Sequence, residues 1–155
     1  MNTSKQASSH VTPHIVVLGA GSIGGYIGGC LINVGAHVTL LGRAKARDIV
    51  KSHGYTLTDL NHRRVCVPPA NIQFSIDPHV LQMADVVLVT VKSRDTREAA
   101  QLLALHAKPK ALVISFQNGI GNAELLARLL PHLNVIAGMV PFHVVTLPKG
   151  HLHCG

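Results

Sequence analysis

The stretch His14–Gly29, HIVVLGAGSIGGYIGG, decides the fold. It opens with an apolar, β-branched run over His14–Leu18, which reads as a short strand buried on both faces. Gly19, Gly21 and Gly24 follow at once in the spacing GxGxxG. Ile23–Val34 then carries helical character up to a stop near Gly35. Strand, tight glycine turn and helix, in that order, build a cradle for phosphate. Gly19 permits the sharp turn, Gly21 leaves the backbone bare to a diphosphate, and Gly24 lets the helix lie close on the strand. The N–H groups at the helix start, and the positive end of its dipole, favour an anion. Ala20, Ser22 and Ile23 lie between the glycines and complete the expected coenzyme-binding loop. A glycine-rich turn that only permits tight packing is the plainer alternative.

The same stretch invites a membrane reading, since Ile15–Ala36 has no Lys, Arg, Asp or Glu and is long enough to span a bilayer. Its glycines argue otherwise. They begin directly behind the β-branched run and recur at short spacings, which suits a strand, a turn and a closely packed helix.

Outward from this core, apolar runs alternate with helical segments. His37–Leu41 reads as a second strand and Ala44–His53 as a basic amphipathic helix closed by Gly54. Tyr55–Leu60 and Arg63–Val67 form a hairpin across Asn61-His62, ended by Pro68-Pro69. Ile72–Ile76 is a further short strand, followed by a helical turn from Asp77-Pro78 through Met83. Asp85–Val91 is the strongest strand signal, apolar on both faces. Thr96–His106 is helical, Ala111–Ser115 a buried strand, Asn122–Leu130 a helix stopped by Pro131, and Asn134–Ala137 and Phe142–Leu147 are strands. This alternation predicts a Rossmann-type, doubly wound α/β fold: a mostly parallel sheet with helices on both faces and right-handed crossovers.

Composition limits the function classes. The chain has 155 residues, 47% hydrophobic and 14% charged, which excludes a disordered protein and allows one well-buried domain. Residues 1–13 are polar and Ser/Thr-rich and are expected to form a flexible leader, with the dinucleotide-binding domain over 14–155. Three cysteines with no CxxC pair argue against a disulfide scaffold and for a reducing, cytoplasmic setting. The formal net charge of +7 raises nucleic acid and membrane surfaces as partners. Scattered cations, 3% aromatics and no Trp give a base-stacking platform little to be built from, so neither partner is expected.

In such a fold the end of the second strand meets the adenosine ribose. An acid there selects NAD, whereas a cation accommodates a 2′-phosphate. Here Gly42-Arg43 follows HVTLL, with no Asp or Glu in the slot, and Lys45 and Arg47 lie close by. NADP (NADPH) is therefore favoured over NAD, with FAD less suited. The remaining strand ends are read as a set. TVKSRDT places Lys92 at the mouth of the site, able to meet coenzyme or a substrate carboxylate; a snorkelling strand-end lysine is the bland alternative. Capping is the simpler role for Asp95 and Thr96. ISFQNGIGN places Asn118 where nicotinamide or substrate would lie, its amide offering both donor and acceptor. Asn118-Gly119 is equally a turn signal. Lys92 and Asn118 are the catalytic candidates. The HLHC run of His151, His153 and Cys154 lacks a second ligand pair at zinc-like spacing, so no metal is expected.

Taken together, HIVVLGAGSIGGYIGGCL, TLLGR, VLVTVKSRDT and ISFQNGIGN, in this order, resemble the N-terminal half of the ketopantoate reductase (2-dehydropantoate 2-reductase) family. AGMVPFHVVTLPKGHLHCG fits the same family, where a strand pair follows, and the likeness covers about Pro13 to Gly155. The resemblance implies NADPH-dependent reduction of a small 2-keto acid, 2-dehydropantoate, to pantoate on the way to pantothenate and coenzyme A. It implies that the glycine loop, Arg43, Lys92 and Asn118 face the coenzyme and active-site cleft. It also implies that the proton-donating Lys and a substrate-binding Glu come from a helical C-terminal domain. No such domain is expected here, and the Rossmann half itself is expected to stop near its C-terminal end. Three alternatives remain: a dinucleotide-binding or sensing module without catalysis, a fragment of another 2-keto or β-hydroxy acid dehydrogenase, and a 6-phosphogluconate-type enzyme. The oligomeric state is left open.

Overall fold

The computed structural model describes residues 12–155. The expected leader thus lies outside the described residues except for Thr12 and Pro13, both exposed. Ten strands and four α-helices follow in the order β1 (Ile15–Leu18), α1 (Ser22–Asn33), β2 (Val38–Leu41), α2 (Ala44–His53), β3 (Tyr55–Asp59), β4 (Arg64–Val67), β5 (Gln73–Ser75), β6 (Val86–Val89), α3 (Thr96–His106), β7 (Leu112–Ser115), α4 (Asn122–Leu129), β8 (Asn134–Ala137), β9 (Val144–Leu147) and β10 (His151–Cys154). Among the described residues, no helix is long and apolar enough to cross a membrane. The uncharged stretch Ile15–Ala36 is divided into β1, the glycine turn and α1.

Six strands form one sheet in the order β5-β2-β1-β6-β7-β8, and every adjacent pair is parallel. Counted within this sheet, the order is 3-2-1-4-5-6, the doubly wound arrangement whose direction of winding reverses between β1 and β6. The two central strands are apolar on both faces because both faces are covered. On one side, Val16, Leu18, Val87, Val89 and Val113 pack with Ala99 and Leu103 of α3 and Leu126 of α4. On the other, Val17, Leu40 and Leu88 pack with Val50 of α2 and with residues of a second layer.

That second layer departs from the expected single sheet. β9 and β10 do not join the large sheet. They complete a four-stranded sheet, β4-β3-β10-β9, in which β10 runs parallel to β3 and antiparallel to β9. Helix α1 lies between the two sheets. Its glycines allow this: a Cβ on Gly24 or Gly28 would meet Thr90 or Leu40 of the large-sheet layer, and one on Gly25 or Gly29 would meet Tyr55 or Leu57 of the small sheet. Sequence patterning anticipated close packing on one side of α1; the structure requires it on two.

Candidate functional site

The carboxyl ends of β1 and β6 open into a cleft of about 480 Å³. Its floor is the glycine turn. Gly19 has φ +110°, a conformation that favours glycine, and a Cβ there would also press on the Val91 backbone 2.8 Å away. The Gly19 and Ala20 N–H groups both donate to the Leu41 carbonyl, at 3.0 and 3.2 Å, and the Thr90 hydroxyl donates to the Gly19 carbonyl at 2.7 Å. The turn is thus held by β2 on one side and β6 on the other. Gly21 is the contrasting position: a Cβ there would meet nothing within 4 Å and would project into the cleft. Gly21 is also the N-cap of α1, with no side-chain cap bond, and the first helical turn carries no acid. The opening N–H groups of the helix are therefore left for an external acceptor. A bare backbone, unpaired donors and open space fit a diphosphate.

The rim is cationic. Arg43, Lys45, Lys92, Arg94 and Lys149 line the cleft with one acid, Asp95. Arg94 pairs with Asp95 at 3.6 Å, while Arg43, Lys45, Lys92 and Lys149 form no ion pair among the described residues. Arg43 sits at the N-cap of α2, directly beyond β2, in the slot where an acid would select the ribose hydroxyls. The wall along α2 is apolar, with Ala46, Ile49 and Val50, and the buried Tyr55 closes its inner end. Burial pushes the Tyr55 hydroxyl up to about 12, so it remains a protonated donor and not a base.

Of the residues expected in the site, Gly19, Ala20, Gly21, Ser22, Arg43 and Lys92 come together in this cleft. Ile23 and Gly24 lie behind it: Gly24 is buried against the turn, and Ile23 belongs to the first turn of α1 without lining the cleft. The lining also stops short of Asn118. That residue is exposed beyond β7, and its carbonyl accepts from the Ser93 hydroxyl at 2.7 Å and the Asn122 amide at 2.9 Å. Asn118 is thereby tied to the Lys92 turn through Ser93. The capping role expected for Asp95 is not what the side chain does. It makes no cap bond and pairs with Arg94 instead, while Thr96 donates to the Ser93 carbonyl at 2.8 Å.

Two features escaped the sequence reading. Gln117 donates to the Val91 carbonyl at 3.1 Å and to the Thr96 hydroxyl at 2.8 Å, joining the exits of β6 and β7. The hairpin Thr146–Gly150 forms a complete wall of the cleft, and the Thr146 and Ser22 hydroxyls share a 2.8 Å hydrogen bond. The resemblance implied a strand pair over this stretch, but not its place against the cleft.

The family model described as ketopantoate reductase PanE/ApbA matches residues 15–155. The chain belongs to the ketopantoate reductase family. Among curated members of this family's activity, it is 36% identical over 129 residues to the 2-dehydropantoate 2-reductase of Halobacterium salinarum, covering 80% of this chain and 40% of that protein. It is 33% identical over 115 residues to the corresponding Pyrococcus horikoshii protein, covering 74% and 36%. A crystal structure of a PanE/ApbA family ketopantoate reductase from Ralstonia eutropha superposes with a TM-score of 0.81 at 34% identity, over 90% of this chain and 45% of that one. A D-mandelate dehydrogenase solved with NADH and anilino(oxo)acetate shares the fold, at a TM-score of 0.73 and 20% identity. The matched part of the chain covers somewhat less than half the length of these ketopantoate reductase relatives.

Proposed function

We propose that residues 14–155 form the coenzyme-holding half of an NADPH-dependent 2-keto acid reductase acting on 2-dehydropantoate. One observation carries the reading: at the winding reversal of a parallel sheet, a bare Gly21 and an uncapped helix start face a cleft whose β2 exit carries Arg43 and no carboxylate. The turn and the first N–H groups of α1 hold the diphosphate, and the planar Arg43 guanidinium grips the 2′-phosphate. When bound, the nicotinamide supplies the hydride that converts the keto carbon to an alcohol carbon.

Lys92 holds negative charge at the mouth of the cleft, on the substrate carboxylate or on the keto oxygen as it becomes an alkoxide. Asn118 stands outside the cleft lining but is tied to the Lys92 turn through its carbonyl bonds to Ser93 and Asn122. That tie keeps its amide as the group that orients the coenzyme carboxamide or the keto oxygen. The buried hydroxyl of Tyr55 and the apolar face of α2 exclude water from the adenosine end.

The reading is tested by titrating the 155-residue chain with NADPH and NADH, following coenzyme fluorescence or heat. Binding of NADPH ahead of NADH is the expected result, and no binding of either at about millimolar concentration would sink it. Turnover of 2-dehydropantoate by this chain is expected to be slight, because the family resemblance assigns the proton-donating Lys to a helical C-terminal domain. Full turnover would show instead that a group within this chain, Lys92 being the first to test, delivers the proton.

A further inference from the structure

Tyr55, the first residue of β3, is 5% exposed, yet its hydroxyl forms no hydrogen bond among the described residues. No fully sealed side-chain nitrogen or oxygen among those residues lacks a partner. The unpartnered phenol oxygen therefore keeps a path to the open cleft that this residue lines.

Two glycines of α1 fix its direction. A Cβ on Gly29 would lie 3.4 Å from Tyr55 Cδ2, and one on Gly25 would lie 2.9 Å from the hydroxyl oxygen. The phenol thus runs along α1 toward the helix start, with the hydroxyl leading. Gly25 and Gly21 stand one turn apart on the same face of the helix. The Gly25 N–H donates to the Gly21 carbonyl at 2.8 Å, and the Ser22, Ile23 and Gly24 N–H groups before it have no partner within the helix. Neither glycine puts a side chain between the hydroxyl and those donors, and the Ser22 hydroxyl is drawn aside to Thr146. Apolar Val50 and Leu152 pack in one cluster with the ring. A neutral donor in such surroundings gains most from an anionic acceptor.

Resting on the coenzyme reading above, we propose that the Tyr55 hydroxyl is a further coenzyme-binding group, donating to the diphosphate seated on the first turn of α1. The small sheet then contributes a hydrogen bond to a site otherwise built at the strand ends of the large one. Both nicotinamide coenzymes carry the diphosphate, so this contact strengthens both and selects neither, unlike Arg43.

The test compares the full chain with Tyr55→Phe, which keeps the ring and removes only the hydroxyl. Affinities are measured for NADPH, NADH and inorganic pyrophosphate, with thermal melts as a check on folding. The expected result is a loss of roughly tenfold for all three. Phenol absorption gives a second readout. The chain has two tyrosines and no Trp, so Tyr26→Phe leaves Tyr55 as the sole tyrosine. Saturating pyrophosphate should shift the phenol band of that variant to the red, as donation to an anion does. A loss confined to NADPH would overturn the proposal, since it would put the hydroxyl at the 2′-phosphate. Unchanged affinities or an unshifted band would overturn it too, and the coenzyme reading would survive if the unaltered chain still bound NADPH ahead of NADH. Failure of the unaltered chain to bind either coenzyme removes both.

Discussion

The two ends of the large sheet use their charged and polar groups in different ways. At the amino end, the His14 N–H donates to Asp85 at 2.8 Å, and Asp85 also accepts from Lys108 at 2.6 Å. Thr39 gives its proton to Gln73 at 3.1 Å, so the 2.8 Å contact between His14 Nε2 and Thr39 has the imidazole as donor. His37 stacks on His14 with ring centroids 4.0 Å apart. Each of these groups is matched within the chain. At the carboxyl end the reverse holds: helix donors without acceptors, and cations without carboxylates. Chemistry is located by polar groups left without partners, since a satisfied group has little to offer a ligand.

The largest effects should come from the floor of the cleft. Gly24→Ala would place its Cβ against the Gly19 carbonyl oxygen and the Thr90 hydroxyl, neither free to withdraw without opening the turn. A loss of about 3 kcal/mol or more is expected in urea unfolding. Gly28→Ala meets only the end of Leu40, at 2.5 Å, and should cost less, about 1–2 kcal/mol. A larger loss at Gly28 than at Gly24 would mean that the turn is softer than its hydrogen bonds suggest.

Gly21→Val separates folding from binding. Its Cβ meets nothing, so stability should fall only by about 1 kcal/mol, the cost of valine at the N-cap of α1, while coenzyme affinity falls at least about a hundredfold. Retained affinity would move the diphosphate elsewhere. Next in size, Arg43→Asp should reverse the preference toward NADH by roughly ten- to a hundredfold, read from the ratio of the two dissociation constants.

The smallest effect belongs to the satisfied end and appears as a pH dependence. Burial, and then the neighbouring His37, lower the His14 imidazole below 6.5. The unfolded chain therefore takes up that proton first. Stability is fully present above about pH 6.5 and declines as pH falls toward the folded value. The Lys108 ammonium, and then the His14 N–H, hold the Asp85 carboxyl below 3.8. Its contribution is present above the ordinary carboxylate range and is lost only as pH falls through the lower folded value. Urea midpoints from about pH 8 to about pH 3 should show the two stages in that order. In His14→Gln the upper stage should vanish; its persistence would assign it to another group.

Much of the large sheet was legible because its central strands are short apolar runs closed by a local turn or helix. VVLVTV and HIVVL are apolar on both faces, a pattern that requires cover on both sides. The small sheet was not legible as a unit. The β3–β4 hairpin is local and was read, but β10 pairs in parallel with β3 across almost a hundred positions. Its sequence, HLHC, has one buried apolar residue, Leu152, between two histidines, too little for a strand signal. Those histidines meet the Thr58 hydroxyl at 2.8 Å each, which no spacing rule could supply. In the cleft, the glycine turn, Arg43 and Lys92 were readable because they follow strand ends. The hairpin wall was hidden because its place depends on that distant pairing.

Helix α1 has one last consequence. Gly24, Gly25, Gly28 and Gly29 are all buried, and between them they face both neighbouring layers. A stretch that confronts a neighbour on two flanks has no slack direction into which an added methyl could be steered. Variation at these four sites is thus costly on steric grounds alone, most of all at Gly24, which faces main chain, before any ligand is considered. Sequence drift has freer room along the outward-facing positions of α3, such as Leu105, which stands 74% exposed.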